Sequence, residues 1–151
     1  MNMIVCVKQV PDPEAPPASF KIDEAAMKVV PPPGVAPVIS PFDEQATEAA
    51  LRITDAKGGK ITVLSMGPSL AREVVKKPLS MGADDLVLLE GAAFDFNDSY
   101  STAYTLALAI KKIGEFDLIF CGRPAADWDA GQVGVGIAAV LGIPCVNVAK
   151  K

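Results

Sequence analysis

The 151-residue sequence contains no histidine. That removes His-based catalytic triads, His-ligated metal sites and the most common general base together. Aromatic residues make up only 6%, too few for a surface built to stack bases. Fourteen Lys and Arg face eighteen Asp and Glu, for a net charge of −4, and no basic block occurs. A nucleic-acid surface or a patch for anionic lipid is therefore not expected. No apolar run is long enough to cross a bilayer, so no direct membrane insertion is expected. The opening Met1-Asn2-Met3-Ile4-Val5-Cys6-Val7-Lys8 lacks the basic n-region of a signal peptide; a cytoplasmic location is the default expectation. The three cysteines, Cys6, Cys121 and Cys145, form no CxxC pair. All sit in apolar surroundings and read as buried, reduced thiols; a redox dithiol or cluster ligand has no spacing support. Neither GxGxxG nor GxxxxGK[ST] is present, which excludes the standard dinucleotide fingerprint and the P-loop.

What is present is apolar and periodic. Half of the residues are hydrophobic, and the length suffices for one domain with a real core, read here as 1–151. Met3 to Gln9 predicts a first core strand, followed by a Pro-rich rim insertion at about 11–39. Within it Phe20-Lys21-Ile22-Asp23 and Met27-Lys28-Val29-Val30 predict a small hairpin. Ser40-Pro41-Phe42-Asp43 opens a helix, with Ser40 as N-cap, Pro41 at the first helical position and Asp43 closing a capping box. Ile61–Ser65 is the second strand. A helix from about Leu70 to Met81 follows, kinked or cut short by Pro78 and ended by Gly82 in a left-handed cap. Leu86–Leu89 is the third strand. Asp98 or Ser99 caps a helix running to Ile113, with Tyr104, Leu106, Ala107 and Ile110 as its buried face. Asp95, Asn97 and Asp98 cluster, but EF-hand spacing is missing and capping is the better reading. Leu118–Gly122 is the fourth strand, followed by a last helix and a possible fifth strand, Pro144–Val148. Strands alternating with helices predict an α/β fold: an open parallel sheet with helices on both faces, strand order 3-2-1-4-5.

In such sheets ligands bind beyond the carboxyl ends of the strands, where the order reverses. That crevice lies between the first and fourth strands, so the loops after Cys6 and Cys121 face each other. The second loop runs Gly122-Arg123-Pro124-Ala125-Ala126-Asp127-Trp128-Asp129-Ala130-Gly131 and leads into the helix at Gln132. Helix-start amides attract phosphate, and small residues let a ligand approach the backbone. Ala130 and Gly131 leave room; the N–H groups of Gln132, Val133 and Gly134 can meet a phosphate. Asp129 either caps the helix or binds a ribose hydroxyl. Asp127 does the same or braces the loop, and Trp128 is a surface anchor or a lid over adenine. An ordinary capped turn stands as the plainer alternative. Asp127 and Asp129 have no accompanying nucleophile or metal site, so no catalytic residue is assigned.

Several stretches resemble one family. Val5-Cys6-Val7-Lys8-Gln9-Val10-Pro11-Asp12, Ser40-Pro41-Phe42-Asp43-Glu44, Ser65-Met66-Gly67-Pro68, Met81-Gly82-Ala83-Asp84 and the Asp127–Gly134 loop follow the order and spacing of electron transfer flavoprotein β subunits. Those subunits run well past this length, so the resemblance is to their N-terminal portion. It implies an adenine nucleotide-binding α/β domain holding AMP, or the adenine end of a second FAD in electron-bifurcating members. Carried over by position, the ligand touches Cys6, Ser40, Pro41, Phe42, Asp43, Met66 and the loop from Gly122 through Val133 to the helix start at Gly134. The resemblance further implies a heterodimer with an α subunit that holds the redox-active FAD. Through the full complex it implies flavin dehydrogenases, such as acyl-CoA dehydrogenase, and a quinone oxidoreductase as partners. The chain is then an electron-carrier subunit and not an enzyme. Pro124 stands where Gln is common, Ser40 where Asn is common, and Pro78 replaces a usual helix residue. The alternatives are a universal-stress-like ATP-binding regulator, a nucleotide-free interaction domain and an adenylating ligase.

Overall fold

A strand covered on both faces must be apolar at every position, and Met3-Ile4-Val5-Cys6-Val7 is. In the computed structural model, which describes residues 1–95 and 98–149, β1 (Asn2–Val7) is buried from Met3 onward. It pairs in parallel with β6 (Lys60–Gly67) on one side and β8 (Leu118–Cys121) on the other. β7 (Asp85–Glu90) adds to β6, giving a four-stranded parallel sheet in the order β7-β6-β1-β8. In terms of core strands this is 3-2-1-4, the first four places of the expected order.

Alternate residues of β1 feed two cores. Met3, Val5 and Val7 join Ile61, Val63, Ala46 and Ala50 beneath α1 (Pro41–Lys57). Ile4 and Cys6 join Leu64, Ala103, Ala107, Ile110 and Ile137 beneath α4 (Ser99–Ile113) and α5 (Val133–Leu141). Helices therefore cover both faces, and the crevice after β1 is flanked by α1 on one side and α5 on the other. The hairpin forms as expected: β3 (Lys21–Asp23) pairs antiparallel with β4 (Lys28–Val30). Two two-residue strands, β2 (Gln9–Val10) and β5 (Val38–Ile39), pair at the base of the Pro-rich stretch.

Four expectations are corrected. Pro144–Val148 forms no strand among the described residues, and Val146 and Val148 are exposed. Hydrophobic composition alone does not supply a pairing partner, and Pro144 removes one donor from the segment. Cys145 lies in this stretch and is exposed, unlike buried Cys6 and half-buried Cys121. Tyr104 is largely exposed and stacks on Tyr100 one turn back at 6.2 Å; Leu106, Ala107 and Ile110 are buried. The first strand stops at Val7, because α1 draws both polar groups of the Lys8 backbone out of the sheet.

The helix expected over 70–81 is two short ones, α2 (Arg72–Val75) and α3 (Lys77–Met81), with Pro78 in the first turn of the second. Asp98 takes the N-cap of α4, its carboxylate accepting the Ser101 N–H at 2.7 Å. That hydrogen bond holds its carboxyl below the usual range. Asn97 of the acidic cluster lies outside the described residues, and no metal-holding group of three or more ligands occurs among the described ones.

Candidate functional site at the carboxyl ends of β1 and β8

The first turn of α1 determines how the two strand ends meet. Ser40 occupies the N-cap position, but its hydroxyl makes no capping bond. Asp43 does not close a capping box either. Its carboxylate leaves the helix and takes two strand-end amides: Lys8 N–H donates to Oδ2 at 2.7 Å and Gly122 N–H to Oδ1 at 3.0 Å. The physical reason is supply. Beyond Val7 and Cys121 the ladder between the strands has ended, so these amides need acceptors, and a buried carboxylate beside them satisfies both. The Lys8 carbonyl in turn accepts the Ser40 N–H at 2.9 Å.

Burial raises the Asp43 carboxyl to about 6 from the usual 3.8, against the lowering pull of the two amides and the Lys8 ammonium; the nearby Asp127 charge adds to the rise. Gly122 is required here by space. A Cβ at that position would lie 2.1 Å from Asp43 Oδ1 and 2.8 Å from the Phe42 carbonyl carbon. The strand end and the helix start are thus in direct backbone contact.

Across this junction lies the loop from Gly122 to Gln132. Lys8 Nζ pairs with Asp127 Oδ2 at 2.7 Å, and Asp127 Oδ1 accepts the Trp128 N–H at 2.9 Å. Asp127 thereby braces the loop. Asp129 adopts a left-handed backbone, φ 53°, and is not the helix cap; the N-cap is Gln132, which gives no side-chain cap. Trp128 is 69% exposed. Arg123, Ala130, Gly131 and Gln132 are exposed, Ala125 and Ala126 half-buried, and Pro124 buried. Val133 and Gly134 begin α5 half-buried, with no side chain of the described residues capping the amides of that first turn.

Cys6 and Cys121 are register partners on β1 and β8 at the floor of the junction. The Cys6 thiol is pushed well above its usual range, first by its hydrogen bond with Cys121 and then by burial. Met66 is half-buried near the end of β6. Pro41 is exposed and Phe42 half-buried in the first turn of α1.

Sequence reasoning did not give Lys8 a part. Its backbone and its ammonium both hold the junction, and the signal available was its place just past the first strand. Nor did it find Ser65, whose buried hydroxyl, like that of Ser40, has no hydrogen-bond partner among the described residues. Two cavities among the described residues lie elsewhere. One, of 340 Å³, opens at the amino ends of β1 and β6, by Asn2, Lys60 and Glu115; the other lies along α1.

Fold and site together define a parallel α/β domain whose polar junction sits at the reversal point of its sheet, beside a helix start without a side-chain cap. The Electron transfer flavoprotein domain matches residues 33–151. The chain is 46% identical to the electron transfer flavoprotein subunit beta of Megasphaera elsdenii, over 99% of this chain and 56% of that protein. It is 44% identical to protein FixA of Bradyrhizobium diazoefficiens, over 100% and 52%. To the caffeyl-CoA reductase-Etf complex subunit CarD of Acetobacterium woodii it is 42% identical, over 97% and 55%. The chain belongs to the electron transfer flavoprotein domain family. It spans about half the length of the curated relatives it matches. A universal-stress-like regulator finds no support in these matches.

Proposed function

We propose that the chain is the nucleotide-binding part of an electron transfer flavoprotein β subunit. It holds AMP, or the adenine end of a second FAD, at the carboxyl ends of β1 and β8. The observation that carries this reading is the first turn of α5. Its amides have no side-chain cap, and it is entered through the exposed run Asp129–Gln132. Unpaired helix-start amides suit a phosphate. The buried Ser40 hydroxyl supports the fit, because an unpartnered buried hydroxyl costs about 1–3 kcal/mol, which a ligand atom can offset.

In this reading Gln132, Val133 and Gly134 offer amides, Ala130 and Gly131 leave space, and the Lys8–Asp127 pair fixes the loop. Cys6, Ser40, Pro41, Phe42, Asp43 and Met66 line the opposite side with their backbones, and Gly122 through Asp129 close over the ligand. No residue is assigned a catalytic step. Electron transfer is the work of a heterodimer, with an α subunit that holds FAD; the flavin supplies the redox chemistry. Flavin dehydrogenases, such as acyl-CoA dehydrogenase, and a quinone oxidoreductase are the expected exchange partners of the full complex. The CarD relative, described as part of a reductase–Etf complex, supports association with such a partner. A cytoplasmic place is part of the same reading; among the described residues no helix is long and apolar enough to cross a membrane.

Isothermal calorimetry of the purified chain with AMP, FAD and ATP tests the proposal. AMP is expected to bind at one site without magnesium. No heat with any of the three, together with no adenine nucleotide released by acid, overturns it. Preference for magnesium–ATP over AMP would restore the regulator.

A further inference from the structure

Two of the three thiols stand side by side. Cys6 on β1 and Cys121 on β8 are register partners in adjacent parallel strands. Register partners point to the same face of a sheet, and both sulfurs belong to the core beneath α4 and α5. Adjacent strands run about 4.8 Å apart, inside the roughly 4.4–6.8 Å that a disulfide spans between Cα atoms. Cys121 is half-buried, whereas Cys6 is 8% exposed, so the pair has one reachable member and one covered member. Cys121 also touches the start of α5: a Cβ on Gly134 would lie 3.2 Å from the Cys121 Cβ and 3.6 Å from its sulfur. Each cysteine precedes an amide held by Asp43, Gly122 directly and Lys8 two residues on.

We propose that Cys6 and Cys121 form a reversible cross-strand disulfide under peroxide, a modification site that ties together the two strand ends flanking the junction. The Cys121 sulfur attacks one peroxide oxygen, the O–O bond breaks, and a sulfenic acid and one water result. The Cys6 sulfur then displaces the sulfenic hydroxyl as a second water and forms the S–S bond. Both thiol protons leave in the waters; two electrons pass from the sulfurs to the peroxide. A second thiol adjacent to the sulfenic acid is what diverts it from further oxidation. The inference does not depend on nucleotide binding, because its readout is the covalent link.

The test uses the 151-residue chain carrying Cys145→Ser, which changes an exposed residue outside the junction and leaves two thiols. After hydrogen peroxide treatment, denaturation and alkylation, intact mass is expected to show the loss of two hydrogens and no alkyl group. Peptide mapping should find Cys6 joined to Cys121 within one chain, and dithiothreitol should restore both thiols. Adding Cys121→Ser should abolish the link. Two alkylated cysteines after oxidation, sulfinic or sulfonic products without a cross-link, or links only between chains would each overturn the proposal.

Discussion

Gly122 and Asp43 form the tightest contact of the junction, and the two residues respond differently to change. Gly122→Ala places a carbon 2.1 Å from a carboxylate oxygen and 2.9 Å from the Asp43 nitrogen, so backbone as well as side chain must shift. A loss of about 3 kcal/mol is expected in urea unfolding. Gly131→Asn is the contrast: φ is 62° and the added atom meets only the Arg123 carbonyl at 3.8 Å. Asn tolerates that conformation, so a loss within about 1 kcal/mol is expected. Asp43 carries a pH signature. Its folded pKa of about 6 lies above the ordinary 3.8. The folded chain therefore holds an extra proton between those values. The stability linked to that proton is full below about pH 4 and lost as pH rises through 6. Relative to Asp43→Asn, the wild-type chain should lose roughly 2.4 kcal/mol between pH 4 and pH 7. Parallel pH profiles for the two proteins would contradict this. The role of Asp43 was not legible in the sequence, because Ser-Pro-Phe-Asp has the local spacing of a capping box. The competing acceptor demand comes from amides 35 and 79 residues away.

At the scale of elements, local chemistry was legible wherever it met no distant rival. Asp98 caps α4 as its sequence suggests. Asp98→Ala should speed hydrogen exchange at the Ser101 amide, whereas Asp98→Ser should leave it protected, since serine also accepts at an N-cap. Protection unchanged in the alanine variant would show that the 2.7 Å bond does not hold that turn. Pro78 divides the helix near 76 because a proline ring cannot follow a completed helical turn but fits a new first turn. The core strands were readable from β-branched runs covered on both faces. The apolar stretch 144–148 has a similar composition yet forms no strand, because composition alone does not bring a segment to the open edge of β8 and Pro144 removes one donor. Tyr104 shows the limit of helical periodicity: it lies at a spacing near that of Ala107, yet points away from the sheet and onto Tyr100.

For the whole molecule, the order β7-β6-β1-β8 places the reversal of the sheet at β1, and the loop after β8 could be located from topology before any side chain was considered. What topology could not supply was the identity of the brace, Lys8 to Asp127, because ion pairing across a crevice depends on which loops close. If the chain holds AMP as proposed, linkage requires global stabilisation. At free AMP one hundred times Kd, unfolding should cost about 2.7 kcal/mol more, read as a higher denaturation midpoint. An unchanged midpoint at saturating AMP would contradict binding to the native state.

The carboxylate of Asp43 draws on partners just past the opening strand and just past β8. A polypeptide halted before residue 118 would lack both the Gly122 donor and the neighbour that β1 needs on that side. The crevice therefore cannot be assembled by any early segment acting alone; it comes into being only once the chain has returned to lie against its own beginning.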